Sequence, residues 1–416
     1  MSGVWRAKLK RGCTALLLLV LVFPFSLKAQ SLHLLHRKRL SIPFKVVKNL
    51  IVIPLMLNDK GPFNFIVDSG VGLFIITDPT LKDSLHVKNI RQIIINGFGE
   101  GHDISAYIAP SIDINIGNAI LGNVSAAIFK EDTFNLSSYT GMPVHGLIGF
   151  ELFNSFTVRI NYATNVLTLY RPESMFIPKK GVRIPLSIEE HKPYIQASVT
   201  LDDQKTIPAH LIVDTGAGHP LSLETISGVP IEPPETKIAA NLGVGLAGPI
   251  NGYLGRIARI RIGKYELNQV ISSFPDYNDV TAKINSISRN GNIGYGILKR
   301  FNLVFDYARG YIYLKPFSTF KTPFEHDMTG MELLALGDKY DHIVISRVEP
   351  GSAAAEAGLE SGDEILAINF KAVKTMSMQE IDDLFASKEG RSFMIDFIRH
   401  EDKQKAYVIL TLKRRI

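Results

Sequence analysis

Cysteine is almost absent from this 416-residue chain, whose only cysteine is Cys13 near the N-terminus. The rest of the chain therefore has no disulfide and no thiol nucleophile. The Gly-x-Ser-x-Gly motif of serine hydrolases and the His-Glu-x-x-His motif of zinc peptidases are absent as well. His33 and His36 lack a third ligand nearby, so we expect no metal site.

The chain also lacks an apolar run long enough to span a bilayer. Residues 15–27 are apolar but number only 13 and include Pro24, whereas a spanning helix needs roughly 20 residues. Basic residues precede this run, and the small Ala29 follows it, so the pattern predicts a secretory signal peptide over residues 1–29. The alternative is an uncleaved anchor. We expect an exported chain and, without cysteine pairs, a bacterial periplasmic or extracellular location.

No excess of either charge remains once residues 1–29 are set aside. The whole chain has 46 Lys and Arg against 40 Asp and Glu, and the N-terminal segment holds five of the basic residues and no acidic one. The mature chain therefore carries 41 basic and 40 acidic residues. This balance gives no electrostatic reason to expect a nucleic acid or an acidic membrane as partner.

A large internal repeat organises the chain, whose length alone predicts two to four domains. Ile148-Gly149-Phe150 and Ile293-Gly294-Tyr295 lie 145 positions apart. Gly97-Phe98-Gly99 and Gly243-Val244-Gly245 lie 146 positions apart. Short apolar runs broken by Gly, Asn, Asp and Pro recur in both copies, which predicts β-strands. The sequence therefore predicts two copies of one mainly β unit.

Each copy contains one motif of aspartate, hydroxyl residue and glycine. Asp68-Ser69-Gly70 and Asp214-Thr215-Gly216 each follow an apolar triplet that is typical of a buried strand. One such motif is most simply a turn, but two at matched positions of a repeat indicate paired carboxylates. Two carboxylates that share one proton can activate water and protonate a carbonyl oxygen. This chemistry hydrolyses peptide bonds without a covalent intermediate, a metal or an organic cofactor.

The residues beside each aspartate suit this pairing. Gly70 and Gly216 allow the two backbones to approach closely. The hydroxyls of Ser69 and Thr215 are able to bond across to the opposite unit and fix the geometry of the pair.

These motifs, with Leu147-Ile148-Gly149 and Asn292-Ile293-Gly294, resemble retropepsin-type aspartic protease domains fused in tandem, similar to the two lobes of pepsin-like enzymes. The resemblance covers about 270 residues and implies a bilobal β fold. It implies that Asp68 and Asp214 are the catalytic dyad and that the hydroxyl residues and glycines next to them support the catalytic loops.

The resemblance also assigns two flaps, hairpins that close over substrate. They are Gly97-Phe98-Gly99 in the first unit and Gly243-Val244-Gly245 in the second.

Two departures from the family pattern stand out. Val71 is bulkier than the usual Ala or Ser, so we expect it to crowd its loop. Asn292 replaces an apolar residue, so we expect it to weaken the second supporting segment.

A third region follows a linker at residues 316–323, and residues 351–369 closely resemble the core of a bacterial PDZ domain. PDZ domains bind extended C-terminal peptides by adding a strand beside a helix. The resemblance places the carboxylate-binding loop near residues 339–343 and one wall of the groove at a helix over 378–386. Peptide capture and a purely structural docking role both remain open. The pattern also predicts a helix at 353–357 and strands at 342–348, 392–399 and 406–413.

The sequence thus predicts a mainly β protein with two duplicated lobes and a small α+β PDZ-like module. Its expected segments are a signal peptide at 1–29, lobe 1 at 30–176, lobe 2 at 177–318 and the module at 325–416. The expected function is that of an aspartic endopeptidase, with the module recruiting or positioning protein substrates. The alternative is a catalytically inactive peptide-binding protein. Since each lobe supplies one aspartate, we expect a monomer to suffice for catalysis.

Overall fold

The protein is described by a computed structural model over residues 32–34, 38–95, 104–174, 177–245, 248–276 and 289–416. It is 51% strand and 12% helix, which confirms the predicted mainly β class. The predicted signal peptide lies outside the described residues. Within them, no helix is long and apolar enough to cross a membrane.

Lobe 1 is built from twelve strands in the part of the chain described. They are β1 (Leu32–Leu34), β2 (Arg39–Pro43), β3 (Lys45–Val47), β4 (Leu50–Leu57), β5 (Lys60–Val67), β6 (Phe74–Ile76), β7 (Arg91–Ile95), β8 (Ile104–Ile116), β9 (Ala119–Phe129), β10 (Gly146–Ile148), β11 (Thr157–Asn161) and β12 (Val166–Tyr170). Its helices are short: α1 (Leu81–Ser84), α2 (Leu136–Thr140) and α3 (Phe150–Ser155).

Lobe 2 repeats this pattern with longer central hairpins. Its strands are β13 (Val182–Pro185), β14 (Ser187–Glu189), β15 (Lys192–Thr200), β16 (Thr206–Val213), β17 (Leu221–Leu223), β18 (Thr225–Ile226), β19 (Val229–Pro230), β20 (Lys237–Gly245), β21 (Gly248–Ile262), β22 (Tyr265–Pro275), β23 (Gly291–Ile293), β24 (Phe301–Asp306) and β25 (Tyr311–Pro316). The helix α4 (Tyr295–Leu298) precedes β24.

The strand order confirms that the sequence repeat is a repeat of structure. Lobe 1 contains the order β9-β6-β10-β5-β4 and lobe 2 the order β22-β17-β23-β16-β15. A long strand, β8 or β21, pairs with both ends of each series and closes the sheet. In both lobes a short strand, β10 or β23, runs parallel to the strand that leads into the aspartate motif.

A six-stranded sheet joins the two lobes, in the order β13-β25-β24-β11-β12-β2. Its two central strands, β11 and β24, occupy matched positions in the repeat and pair antiparallel, with Arg159 opposite Val304. One apolar core continues through both lobes. In it, Phe153 packs edge-on against Phe305 with ring centroids 4.8 Å apart. The two lobes therefore share both a sheet and a core within one chain.

The C-terminal module forms a separate sheet in the order β26-β27-β28-β30-β31, with β29 paired to β28. These strands are β26 (Met331–Leu336), β27 (His342–Val348), β28 (Glu364–Ile368), β29 (Lys371–Ala372), β30 (Ser392–Ile398) and β31 (Lys405–Thr411). Its helices are α5 (Ala353–Glu356) and α6 (Met378–Phe385). The predicted helices and strands of this module are confirmed, with end points that differ by at most two residues.

Helix α6 begins where the sequence provides a complete capping box. Ser377 accepts a hydrogen bond from the Glu380 amide, and the Glu380 carboxylate accepts one from the Ser377 amide. Met378, Ile381 and Phe385 then recur on one face at helical spacing and are buried. They pack into an apolar core that belongs to the module but also includes Val47 of lobe 1.

The predicted position of the carboxylate-binding loop is wrong. Residues 339–343 contain the turn between β26 and β27 and the first residues of β27, and Leu336 pairs with His342 to close this hairpin. Strand β27 is flanked by β26 and β28, so a peptide strand has no free edge there. The edge strands of this sheet are β26 and β31, and β26 is the one next to which a peptide is able to add.

Glu151, at the start of α3, provides a prediction for stability. Only 8% of this residue is exposed, and burial raises the pKa of its carboxyl to about 7 despite backbone hydrogen bonds that favour the charged form. The folded state therefore binds this proton more tightly than the unfolded state. The stabilisation that this bound proton gives to the folded state is complete below the unfolded-state pKa of about 4.5. It is lost as the pH rises to about 7.

We expect Glu151→Gln to remove this loss, because an amide needs no proton to remain neutral. The free energy of unfolding of the wild type, measured by urea denaturation, should fall by roughly 2–3 kcal/mol relative to the variant between pH 4.5 and 7.5. The exposed Glu401→Gln serves as a control and should leave the wild-type pH dependence unchanged. Parallel curves for wild type and Glu151→Gln would contradict the prediction.

Candidate active site

The two aspartates lie at equivalent strand ends, one in each lobe. Strand β5 ends at Val67 and β16 at Val213, both fully or almost fully buried. The Asp68 amide donates a 2.9 Å hydrogen bond to the Ile148 carbonyl, and the Asp214 amide donates an equivalent 2.9 Å bond to the Ile293 carbonyl. The parallel strands β10 and β23 therefore hold the backbone of each aspartate in place.

The hydroxyls of Ser69 and Thr215 bond across the lobe boundary, as predicted. The Ser69 hydroxyl donates to the Val213 carbonyl at 2.6 Å, and the Thr215 hydroxyl donates to the Val67 carbonyl at 2.8 Å. Each hydroxyl also accepts the backbone N–H of the other residue at 3.0 Å. All four bonds are buried, so the two catalytic loops form one reciprocal unit.

The glycines of the motifs allow the carboxyl groups to meet. A Cβ on Gly216 would lie 2.1 Å from Cγ of Asp68, and one on Gly70 would lie 2.9 Å from Cγ of Asp214. Each carboxyl group thus lies over the glycine of the opposite lobe. The Gly70 amide donates to Oδ1 of Asp68 at 2.8 Å, and the Gly216 amide donates to Oδ1 of Asp214 at 2.9 Å. Any larger residue at position 216 would displace Asp68.

The glycines of the supporting segments are required for the same steric reason. A Cβ on Gly149 would lie 2.2 Å from the Asp68 carbonyl oxygen, and one on Gly294 would lie 2.3 Å from the His219 carbonyl oxygen. Val71, predicted to crowd its loop, retains the backbone hydrogen bond that its counterpart Ala217 makes. Its carbonyl accepts a hydrogen bond from the Phe150 amide, just as the Ala217 carbonyl accepts one from Tyr295.

Each catalytic loop is also buttressed by a hairpin turn from the other lobe. Lys48 and Asn49, between β3 and β4, contact Gly218, where a Cβ would lie 3.3 Å from the Lys48 carbonyl oxygen. Glu190 and His191, between β14 and β15, contact Gly72 in the same way, with the Glu190 carbonyl oxygen at 3.2 Å. All four turn residues have positive φ, as a two-residue hairpin requires.

The electrostatic environment favours one shared proton. Asp68 is 8% exposed, and burial followed by the neighbouring Asp214 carboxyl raises the pKa of Asp68 well above its usual value. The two carboxyl groups lie close together, each over the glycine of the opposite lobe, so a single proton between them avoids placing two negative charges side by side. Lys192, the first residue of β15, lies near both aspartates, and its charge opposes the rise. Two close carboxylates in such a site titrate as a pair.

The second lobe has polar groups that sequence reasoning did not place at the site. The Asn292 side-chain amide donates to Oδ2 of Asp214 at 2.9 Å, and its Oδ1 lies 2.7 Å from Nε2 of His219. Asn292, predicted to weaken its segment, thus also bonds Asp214 directly, a contact that the prediction did not include. The available signal was its position in β23, directly before the Ile293-Gly294 pair and beside the strand β16 that leads into Asp214.

The two predicted flaps differ in what the structure describes. Gly97, Phe98 and Gly99 lie outside the described residues, between β7 and β8, which pair antiparallel up to Ile95 and Ile104. Gly243, Val244 and Gly245 are the last residues of β20, and Gly245 pairs with Gly248 of β21. The predicted hairpin in lobe 2 is therefore confirmed, while the contact of either flap with substrate stays a prediction.

No group of three or more His, Cys, Asp or Glu side chains is placed to hold a metal ion in the part of the chain that the structure describes. The chemistry available at the dyad is proton transfer to and from water and a carbonyl oxygen. Such a site matches general acid and base catalysis by two carboxyl groups with one proton.

Comparison with known proteins agrees with this arrangement. Residues 53–152 match the family model of aspartyl proteases, and residues 344–399 match a PDZ domain model. The chain thus combines an aspartyl protease segment, of the retropepsin-like type, with a PDZ domain. No curated protein sequence gave a significant match.

Two solved structures illustrate the partial similarity. An aspartic proteinase from Irpex lacteus aligns over 68% of this chain and 99% of its own, at 13% identity and a TM-score of 0.43. A photosystem II D1 C-terminal processing protease aligns over 20% of this chain, at 23% identity and a TM-score of 0.19. The chain spans only 22% of the length of that protease.

The reciprocal hydroxyl bonds yield a testable consequence. Replacing Thr215 by Val keeps the shape of the side chain but leaves the Ser69 N–H and the Val67 carbonyl buried without a partner. We expect Thr215→Val to lower the free energy of unfolding by roughly 2–4 kcal/mol, measured by urea denaturation. Thr215→Ser retains the hydroxyl and is the matched control. A loss below about 0.5 kcal/mol in the valine variant would contradict the role of these bonds.

Proposed function

We propose that the protein is an aspartic endopeptidase in which Asp68 and Asp214 activate water for attack on a peptide bond. The observation that carries the proposal is the meeting of two carboxyl groups from matched strand ends, each lying over the glycine of the opposite lobe. The reciprocal bonds of Ser69 and Thr215 support it, because they hold both catalytic loops in one geometry. The match of residues 53–152 to aspartyl proteases agrees with it.

In the proposed reaction, the ionised member of the pair takes a proton from water while the protonated member donates one to the carbonyl oxygen of the substrate. The resulting tetrahedral intermediate collapses when the carboxyl that took the proton from water passes it to the amine nitrogen and the peptide C–N bond breaks, while the other carboxylate takes back a proton from a hydroxyl of the intermediate. Ser69, Gly70, Thr215 and Gly216 position the pair. The glycines of the two flaps would contact the substrate and exclude bulk water.

We also propose that one chain suffices for catalysis, because both aspartates and both supporting segments come from the same polypeptide. The substrates are extended polypeptides, and the PDZ domain recruits or positions them. The proposed export to a bacterial periplasm or exterior is supported by the sequence of residues 1–29 and by the scarcity of cysteine.

The test is the incubation of the purified protein with a diverse peptide mixture at pH values from about 3 to 8, with mass spectrometry to identify cuts. We expect internal cleavage by the wild type and a rate reduced by about 10²–10⁴-fold in both Asp68→Asn and Asp214→Asn, since each removes one proton-transfer group. Asp83→Asn, a change at an exposed site on α1, is the matched control and should cleave at the wild-type rate.

Two outcomes would contradict the proposal. Cleavage that survives in either dyad variant would show that another group performs the chemistry. Folded wild-type protein that cuts nothing at any pH would instead favour the alternative, a catalytically inactive peptide-binding protein. In that case peptide binding should be unchanged in Asp68→Asn and Asp214→Asn.

A further inference from the structure

The dyad is asymmetric although the lobes are duplicated. Asn292 and His219 form a polar pair on the side of Asp214. The matched positions in lobe 1, at offsets of 145 and 146, are Leu147 and Leu73. Strand β10 therefore presents an apolar residue where β23 presents an amide. The duplication alone would give two equivalent carboxyls, and these two substitutions distinguish them.

The orientation of the Asn292 amide follows from its two partners. An amide that donates from Nδ2 to a carboxylate oxygen presents Oδ1, an acceptor, to His219. Nε2 of His219 must then carry the proton and donate it. Burial lowers the pKa of His219, so a neutral ring with its single proton on Nε2 satisfies this geometry. His219 thus fixes which end of the amide faces Asp214.

We propose that Asn292, oriented by His219, makes Asp214 the ionised member of the pair and leaves the shared proton on Asp68. Oδ1 of Asp214 accepts the Gly216 amide and Oδ2 accepts Asn292, and donated hydrogen bonds stabilise the charged form of a carboxyl group. Asp68 accepts the Gly70 amide and lies beside an apolar β10. This inference rests on the proposed function, to which it assigns the base and the acid.

Other charged groups also face Asp214 and have to be taken into account. They are Asp68 on the opposite loop, Lys192 on β15, His219 on the loop after the motif and Arg289 before β23, together with the titratable Tyr307 directly after β24. Arg289 is paired with Glu224 at 2.8 Å. A substitution at position 292 leaves Asp68, Lys192 and Arg289 unchanged but removes the partner of His219, so the His219 variants below are needed to separate the two contributions.

The test replaces Asn292 with the residue of lobe 1, as Asn292→Leu. Without the amide, the first proton leaves the dyad at a higher pH. The acidic limb of the kcat/KM profile should therefore move toward higher pH by about one unit, which is a tenfold loss of rate at a fixed pH on that limb. The alkaline limb reports loss of the proton from Asp68 and should stay in place. His219→Phe should give a smaller shift in the same direction, and His219→Gln, which retains an N–H donor, should restore the wild-type profile.

Asn290→Ala is the matched control on the same segment. Asn290 accepts the His210 amide and donates to the Thr225 carbonyl, both at 2.7 Å. Its loss should reduce stability while leaving both limbs unchanged. A shift of the alkaline limb alone in Asn292→Leu would place the proton on Asp214 and overturn the assignment, as would an unchanged profile.

A second readout separates this inference from the proposed function. The carboxyl ¹³C resonances of Asp68 and Asp214 report the protonation of each group without any cleavage. The variants Asp68→Asn and Asp214→Asn assign the two resonances. We expect the resonance that titrates at lower pH to be that of Asp214 in the wild type and its midpoint to rise in Asn292→Leu. The reverse order would refute the assignment even in a protein that cleaves no peptide.

A different set of contacts concerns the PDZ domain. Residues 139–142 of lobe 1, here called the cap segment, lie between the edge strand β26 and helix α6. A Cβ on Gly141 would be 2.8 Å from Cγ of Met378 on α6 and 3.4 Å from Cβ of Ala335 on β26. Met142 packs against the core of the module. The cap segment therefore lies where a PDZ domain receives a peptide, beside an edge strand and a helix.

The neighbouring turn of lobe 1 fastens the same helix. Lys48 forms a 2.8 Å ion pair with Asp382, and the Asn49 amide donates to Oε1 of Gln379 at 2.7 Å. The Lys48 side chain is only 12% exposed. Val47, 5% exposed, contributes directly to the core of the module. The module is thus held against lobe 1 by apolar, ionic and hydrogen-bonded contacts together.

From these contacts we infer that lobe 1 closes the PDZ groove and that a peptide with a free C-terminal carboxylate competes with the cap segment for it. Strand β26 pairs with β27 on one side, and none of the described strands pairs with its other edge. The cap segment fills the groove without adding a strand, so a peptide that does add one gains main-chain hydrogen bonds that the cap lacks.

The test uses the full chain with Asp68→Asn, so that bound peptides stay intact. The probe is a random decapeptide library with free carboxylates, compared with its amidated counterpart. We expect Met142→Ala to retain about tenfold more of the carboxylate library than the parent, because weakening the cap raises the fraction of open grooves. The amidated library should show no such gain.

A reversible crosslink gives the opposite perturbation. Gly141→Cys with Ala335→Cys places two Cβ atoms about 3.4 Å apart, close to the separation in disulfides. The oxidised protein should bind no peptide, and the same protein after reduction should bind at least as much as the parent, because a side chain at position 141 would lie 2.8 Å from Cγ of Met378 and loosen the cap. Equal binding by the oxidised and reduced forms, or no gain in Met142→Ala, would overturn the inference.

Discussion

The structure depends above all on the exchange of hydrogen bonds between Ser69 and Thr215. Each hydroxyl donates to a strand carbonyl of the opposite lobe and accepts a backbone N–H from the opposite loop. These four bonds fix the separation of the two strand ends, and hence of the two carboxyl groups. The glycines, the supporting strands and the shared six-stranded sheet are all arranged so that these bonds can form in a buried site.

Duplication provides this symmetry, and a few residues then break it. The fold gives each lobe the same strand order, the same supporting segment and the same turn against the opposite loop. A symmetric pair of carboxyls has no reason to place its proton on one side. Asn292 and His219 replace Leu147 and Leu73 of the first lobe, and the amide of Asn292 bonds Asp214, so the surroundings of the two carboxyl groups differ in polarity.

The hairpin turn at Lys48 and Asn49 connects the three parts of the molecule. It contacts Gly218 on the loop of Asp214, and it also binds Asp382 and Gln379 on helix α6 of the PDZ domain. Lobe 1, the second catalytic loop and the module therefore meet at one turn of two residues. The module is therefore part of the architecture of the site and is not a separate domain held only by a linker.

The sequence by itself determined the duplication, the mainly β class, the dyad candidates and the elements of the PDZ domain. These features are encoded locally or by repetition: motifs recur at one offset, apolar runs end at the aspartates, and a capping box marks the start of α6. The tertiary structure decided the contact of Asn292 with Asp214, the hydrogen bond at the Val71 carbonyl, the free edge of β26 and the contacts of lobe 1 with helix α6. Each of these depends on which distant residues come into contact, and no local pattern along a single chain specifies such contacts.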